Sequence, residues 1–91
     1  MKKVVLSPTV DIALRMLDAD GVRRVQAWFS CLERWDTDEH VRKNSHQLTD
    51  VPGVYMMRTT TDIRIFFEID GDTITVLDVA KKAALLASGV G

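Results

Sequence analysis

The side chains best suited to chemistry lie in the second half of this 91-residue sequence. Arg58 and Arg64 carry planar guanidinium groups, each able to grip two oxygens of one anion. Lys81 and Lys82 add ammonium groups, His46 an imidazole, the side-chain type that titrates closest to neutrality, and Tyr55 a phenol. Each also has a plain reading. Either arginine could form a surface salt bridge, the histidine could sit solvated in a polar loop, the tyrosine could pack, and the lysine pair could serve solubility or a helix end. No glycine-rich phosphate loop, nucleophile elbow or metal-ligand cluster accompanies them.

Alternation supplies the platform for the arginines. Ile63, Ile65, Phe67 and Ile69 interleave with Arg64, Phe66 and Glu68, the pattern of a strand with one face inward. Asp70-Gly71 is a strong hairpin signal, and Thr73 to Val79 is the expected partner strand. A two-residue Asp70-Gly71 loop pairs Ile69 with Asp72 and sets Arg64 opposite Leu77, Phe66 opposite Thr75 and Glu68 opposite Thr73 on the working face. Whether Arg58 joins that face depends on loop parity. A three-residue Thr60-Thr61-Asp62 connection places it opposite Arg64, whereas a two-residue one sends it toward the core, where an unpaired arginine is costly. The three-residue connection is therefore expected. Val51-Pro52-Gly53-Val54 has Pro and Gly at the centre of a type II turn that launches the preceding strand from Tyr55.

The first half supplies the cover. Lys2 to Leu6 reads as a short strand, and Ser7-Pro8 as a helix start with a capping hydroxyl. Val10, Ala13, Leu14 and Leu17 form one helical stripe; Val22, Val25, Phe29 and Leu32, widened by Trp28 and Trp35, form a longer one that Asp20 could cap. The two should form a hairpin packed on a sheet. Residues 36 to 50 read as polar and irregular, with Asp36 or Thr37 able to cap a short turn through Val41. Lys81 to Ser88 reads as a final helical turn closed by Gly89.

Composition narrows the functional classes. A chain this short is expected to form one domain over 1–91. Its 46% hydrophobic and 27% charged residues are those of an ordinary soluble globule. Twelve Lys and Arg against thirteen Asp and Glu leave a net charge of -1, so any nucleic-acid binding must be local. Cys31 stands alone and excludes an intramolecular disulfide, and two histidines without further cysteines disfavour zinc. Val4 to Leu6 is too short for a signal peptide and no run approaches a membrane span, so a cytoplasmic location with no membrane partner is expected.

The order strand, helix, helix, three antiparallel strands and basic tail, with the run HQLTDVPGVYMMRTTTDIRIFFEIDGDTITVLDVAKK over 46–82, resembles the RelE/ParE toxin family of bacterial type II toxin-antitoxin modules. The resemblance is sharpest in that C-terminal half. It implies an α+β fold: an N-terminal strand, a two-helix hairpin, a three-stranded antiparallel meander completing a four-stranded sheet, and a short C-terminal helical tail. The implied activity is metal-independent, cofactor-free cleavage of mRNA in the ribosomal decoding site, with one sheet face on the sugar-phosphate backbone. Attack of a ribose 2′-hydroxyl on its phosphate needs the anionic phosphorane stabilised and protons moved. By position, the resemblance gives Arg64 the transition-state charge, Arg58 the scissile phosphate and Lys82 an assisting role, with Lys81, His46 and Tyr55 as RNA contacts. Met56 stands where some members carry a second basic residue. The tail after Lys82 begins Ala83-Ala84-Leu85-Leu86, without the tyrosine or histidine that could move a proton, which leaves His46 or Tyr55 for that task. The implied partners are a cognate antitoxin, the ribosome and mRNA. The alternatives are a non-catalytic gyrase-directed ParE-like toxin, or a degenerate homologue that only binds its antitoxin.

Overall fold

The computed structural model describes residues 1–59 and 62–83. Its elements are β1 (Lys3–Leu6), α1 (Pro8–Arg15), α2 (Ala19–Leu32), α3 (Glu39–Lys43), β2 (Ser45–Gln47), β3 (Val54–Arg58), β4 (Ile63–Asp70) and β5 (Thr73–Lys81). The strands form one sheet in the order β1-β5-β4-β3-β2, with β1 parallel to β5 and every other pair antiparallel. The expected sheet of four strands is thus a sheet of five. The added member, Ser45-His46-Gln47, lies on the edge beside β3 and has no β-branched or aromatic residue to announce it.

The helices close one face of the sheet. Val10 of α1, Val25, Phe29 and Leu32 of α2 and Val41 of α3 share a core with Met57, Ile63, Ile65, Phe67, Ile74, Val76 and Val79. Trp35 follows the end of α2 instead of extending it, and packs edge-on against Tyr55 and Phe67 at ring separations of 5.4 and 5.7 Å. The caps differ from expectation. The Ser7 hydroxyl donates to the Leu77 carbonyl at 2.9 Å and caps nothing, so Pro8 alone opens α1 and the serine instead ties β1 to β5. Asp18, not Asp20, caps α2 by accepting from the Gly21 amide at 2.7 Å; Asp20 pairs with Arg23. Asp38, not Asp36 or Thr37, caps α3, accepting from the His40 and Val41 amides.

Two glycines set the strand ends. Gly53, at φ +80°, fills the left-handed third position of the Val51–Val54 turn, as a type II turn requires. Gly71, at φ +58°, begins a two-residue Gly71-Asp72 loop that pairs Asp70 with Thr73, the arrangement of a type II′ hairpin turn. The expected Asp70-Gly71 loop is therefore one residue out of frame. A bulge near Leu77 shifts the ladder again, so Phe66 faces Asp78 and Arg64 faces Ala80 instead of Leu77. Strand β5 also runs through Lys81, two residues past its expected end; Lys82 and Ala83 are helical, as the expected closing turn requires, and the rest of that turn to Gly89 lies beyond the described residues. Among the described residues, no helix is long and apolar enough to cross a membrane.

Candidate functional site

The face of the sheet turned away from the helices carries the candidate site. Directly opposed residues on antiparallel strands point to the same side, so the register fixes which side chains meet. Arg58 on β3 lies directly opposite Arg64 on β4, the pairing that the three-residue connection predicts. Their neighbours on either side, Met57 with Ile65, belong to the helix-side core, which places both arginines on the open face. The Thr59 amide donates to the Ile63 carbonyl, making 59/63 a hydrogen-bonded pair and 58/64 the close, non-hydrogen-bonded kind, with Cα atoms about 4.5 Å apart. Two like charges directly opposed on a sheet destabilise it. Arg58 is exposed and makes no ion pair among the described residues; Arg64 is half-buried, and its Nη1 donates to the Ile63 carbonyl at 3.1 Å.

The edge strand extends this face. His46 pairs with Met56, which in turn pairs with Phe66. Since Arg58 stands two residues on from Met56, His46 and Arg58 are diagonal neighbours on one side of the sheet, with Cβ atoms roughly 7 to 8 Å apart. Lys82 follows β5 directly, and its amide donates to the Asp62 carbonyl at 2.6 Å, carrying the β4–β5 register one pair further. Lys82 itself is helical, so the strand pleat ends at Lys81 and does not set the side of the Lys82 ammonium.

Two expected companions are elsewhere. Tyr55 lies opposite Phe67 on the helix side, its ring stacked on that phenyl at 5.5 Å, so its role in the fold is packing. Lys81 lies opposite Ile63, also on the helix side, where it lines a cleft of about 270 Å³ with Asp18, Asp20, Arg24 and Asp62. Neither joins the arginines, because each sits one residue out of phase with the open face. Conversely, Phe66 and Asp78 share the open face beside them. Phe66 is half-buried, with an aromatic surface of the kind on which a nucleobase stacks. One Asp78 carboxylate oxygen accepts from the Val79 amide at 2.8 Å, which holds the bulge. The alternation of β4 marks Phe66 in the sequence; only the bulge brings Asp78 opposite it. Among the described residues, no cluster of His, Cys, Asp or Glu is arranged to hold a metal ion.

Solved structures share this architecture over nearly the whole chain. The RelE chain of the RelB-RelE antitoxin-toxin complex from Methanococcus jannaschii superposes with a TM-score of 0.69 at 16% identity, covering 92% of this chain and 96% of that one. The fold is that of RelE. The archaeal RelE-RelB complex from Pyrococcus horikoshii OT3 gives 0.70 at 20% identity over 89% and 94% of the two chains. The E. coli DinJ-YafQ toxin-antitoxin complex gives 0.72 at 12% identity over 92% and 96%. No family model matches the sequence, and no curated protein matches it significantly. The RelE fold is therefore kept here by hydrophobic pattern and register at low sequence identity. Within it, the open sheet face is where this chain has placed its paired arginines.

Proposed function

We propose that this chain is the toxin of a toxin-antitoxin pair and cleaves ribosome-bound mRNA. The observation that carries the reading is the Arg58–Arg64 pair. The register sets the two arginines directly opposite each other on the open face, within reach of a single anion that both guanidinium groups could share. A phosphodiester fits, since its two non-bridging oxygens match the guanidinium fork and the phosphorane formed on attack carries more negative charge than the ground state. Phe66 offers the adjoining base a stacking surface. The net charge of -1 makes this a local basic site on a nearly neutral protein, suited to a substrate already held by a larger machine.

The RelE and YafQ chains of similar fold were solved in complex with antitoxins, which supports a cognate antitoxin as the regulating partner here. Expression of the chain should arrest growth, and mapping of message ends should show cuts that depend on translation. Arg64→Ala should relieve the arrest and leave message intact. Arrest with intact message and broken DNA would overturn the nuclease reading in favour of a gyrase target, and absence of arrest would overturn it in favour of an inactive antitoxin-binding homologue.

A further inference from the structure

The open face carries two rows of side chains next to each other. Arg58 and Arg64 make the first, across β3 and β4. Two residues along the same strands, roughly 7 Å away, a second row crosses four strands through His46, Met56, Phe66 and Asp78. A phosphate held by the first row brings the base of an adjoining nucleotide to the second. Resting on the nuclease reading above, we propose that Phe66 and Asp78 form a nucleobase subsite beside the cut, in which the Asp78 carboxylate selects a base with an amino group on its edge and excludes uracil.

The second row is built for a planar ligand with one polar edge. Phe66 is half-buried, and the part of its ring left open is the stacking surface. Met56 stands opposite it on β3 and is itself only 8% exposed, so the phenyl has apolar surface on that side. Asp78 stands opposite it on β5, with Cα atoms about 5 Å apart, and is half-buried too. This neighbour is a product of the bulge: Val76 and Val79 both reach the core although three positions apart, and the extra residue between them turns Asp78 to the open face. The bulge is tied at two points. The Ser7 hydroxyl donates to the Leu77 carbonyl at 2.9 Å, and one Asp78 oxygen accepts from the Val79 amide at 2.8 Å. The carboxylate is thus oriented before a ligand arrives, and among the described residues it makes no ion pair and its second oxygen no hydrogen bond.

The chemistry of that group sets the choice of ligand. A carboxylate repels phosphate and accepts hydrogen bonds without donating any, so within a nucleotide its partner is a donor on the base. Cytosine, adenine and guanine each present an amino group. Uracil has the ring and stacking surface of cytosine, but carries a carbonyl oxygen where cytosine carries its amino group, and that oxygen would face the carboxylate lone pair to lone pair. The contrast between cytosine and uracil therefore isolates Asp78 from Phe66. His46, at the far end of the row, is two strands from Phe66 and too distant to read the same edge.

The test is single-turnover cleavage by the full chain of ribosomes programmed with messages that differ only in cytosine or uracil at each nucleotide flanking the cut. The wild-type chain should cleave the cytosine message about 10- to 100-fold faster at one of those two positions. Asp78→Asn keeps an oxygen for the Val79 amide and adds an amide donor, so it should bring the two rates together by raising the rate on uracil. Phe66→Leu should slow both messages alike, because stacking does not read the edge of a base. Equal wild-type rates on cytosine and uracil at both positions would overturn the subsite and spare the nuclease reading. A preference that survives Asp78→Asn would overturn the role of the carboxylate. Both messages left intact by the wild-type chain would overturn the subsite and the nuclease reading together.

Discussion

The two faces of the sheet obey different rules. On the helix side, Tyr55 is stacked on Phe67, Met57 lies opposite Ile65 and Ile65 opposite Val79, each pair joining apolar surface that the helices then cover. On the open side, Arg58 meets Arg64 and His46 meets Met56, pairs that do nothing for a sheet by themselves. The same strands build both faces, so the contrast is one of side-chain phase and not of backbone. The helix side stabilises; the open side departs from stabilising patterns at the positions assigned to an anion.

That contrast can be broken most sharply at Phe67, which is fully buried and touches both Tyr55 and Trp35. Phe67→Ala should cost about 3 to 5 kcal/mol of stability, read by denaturant unfolding. A loss below about 1 kcal/mol would mean that the aromatic cluster is not the keystone of the helix side. On the open side the effects should reverse in kind. Arg64→Ala should lower message cleavage by about 10²- to 10³-fold, as loss of one oxyanion donor does elsewhere, with little change in the unfolding midpoint. A large drop in stability would place Arg64 in the architecture instead.

Smaller effects sharpen the same comparison. Asp38→Ala removes the cap of α3 and should cost about 1 kcal/mol, a loss that circular dichroism with urea titration can resolve. Arg58→Thr relieves the like-charge pair and should stabilise the free protein by roughly 0.2 to 1 kcal/mol while weakening cleavage, most visibly at low salt. A stabilised variant with less activity is the signature expected of a site that the fold tolerates at a cost.

The sequence showed much of the helix side and half of the open side. Stripes in α1 and α2, the alternation of β4 and the Pro52-Gly53 turn are strong local signals, and loop parity, with the cost of burying an unpaired arginine, put Arg58 opposite Arg64. Three features were hidden for physical reasons. Gly71 takes the first loop position, not the second, because only one residue of this turn needs positive φ. The bulge at Leu77 leaves no mark, since Thr, Leu, Asp and Ala are compatible with either phase. Strand β2 is three polar residues whose pairing depends on β3, and with it went the placement of His46.

The central claim is that Arg58 and Arg64 act on one anion together. A double-mutant cycle in single-turnover cleavage tests it most directly, using Arg58→Ala, Arg64→Ala and the double variant. Shared grip on one phosphate predicts strong coupling: after the first arginine is lost, removing the second should cost far less than it does in the intact pair. Losses that simply multiply would contradict it, showing two arginines that are neighbours on the sheet but serve separate ends.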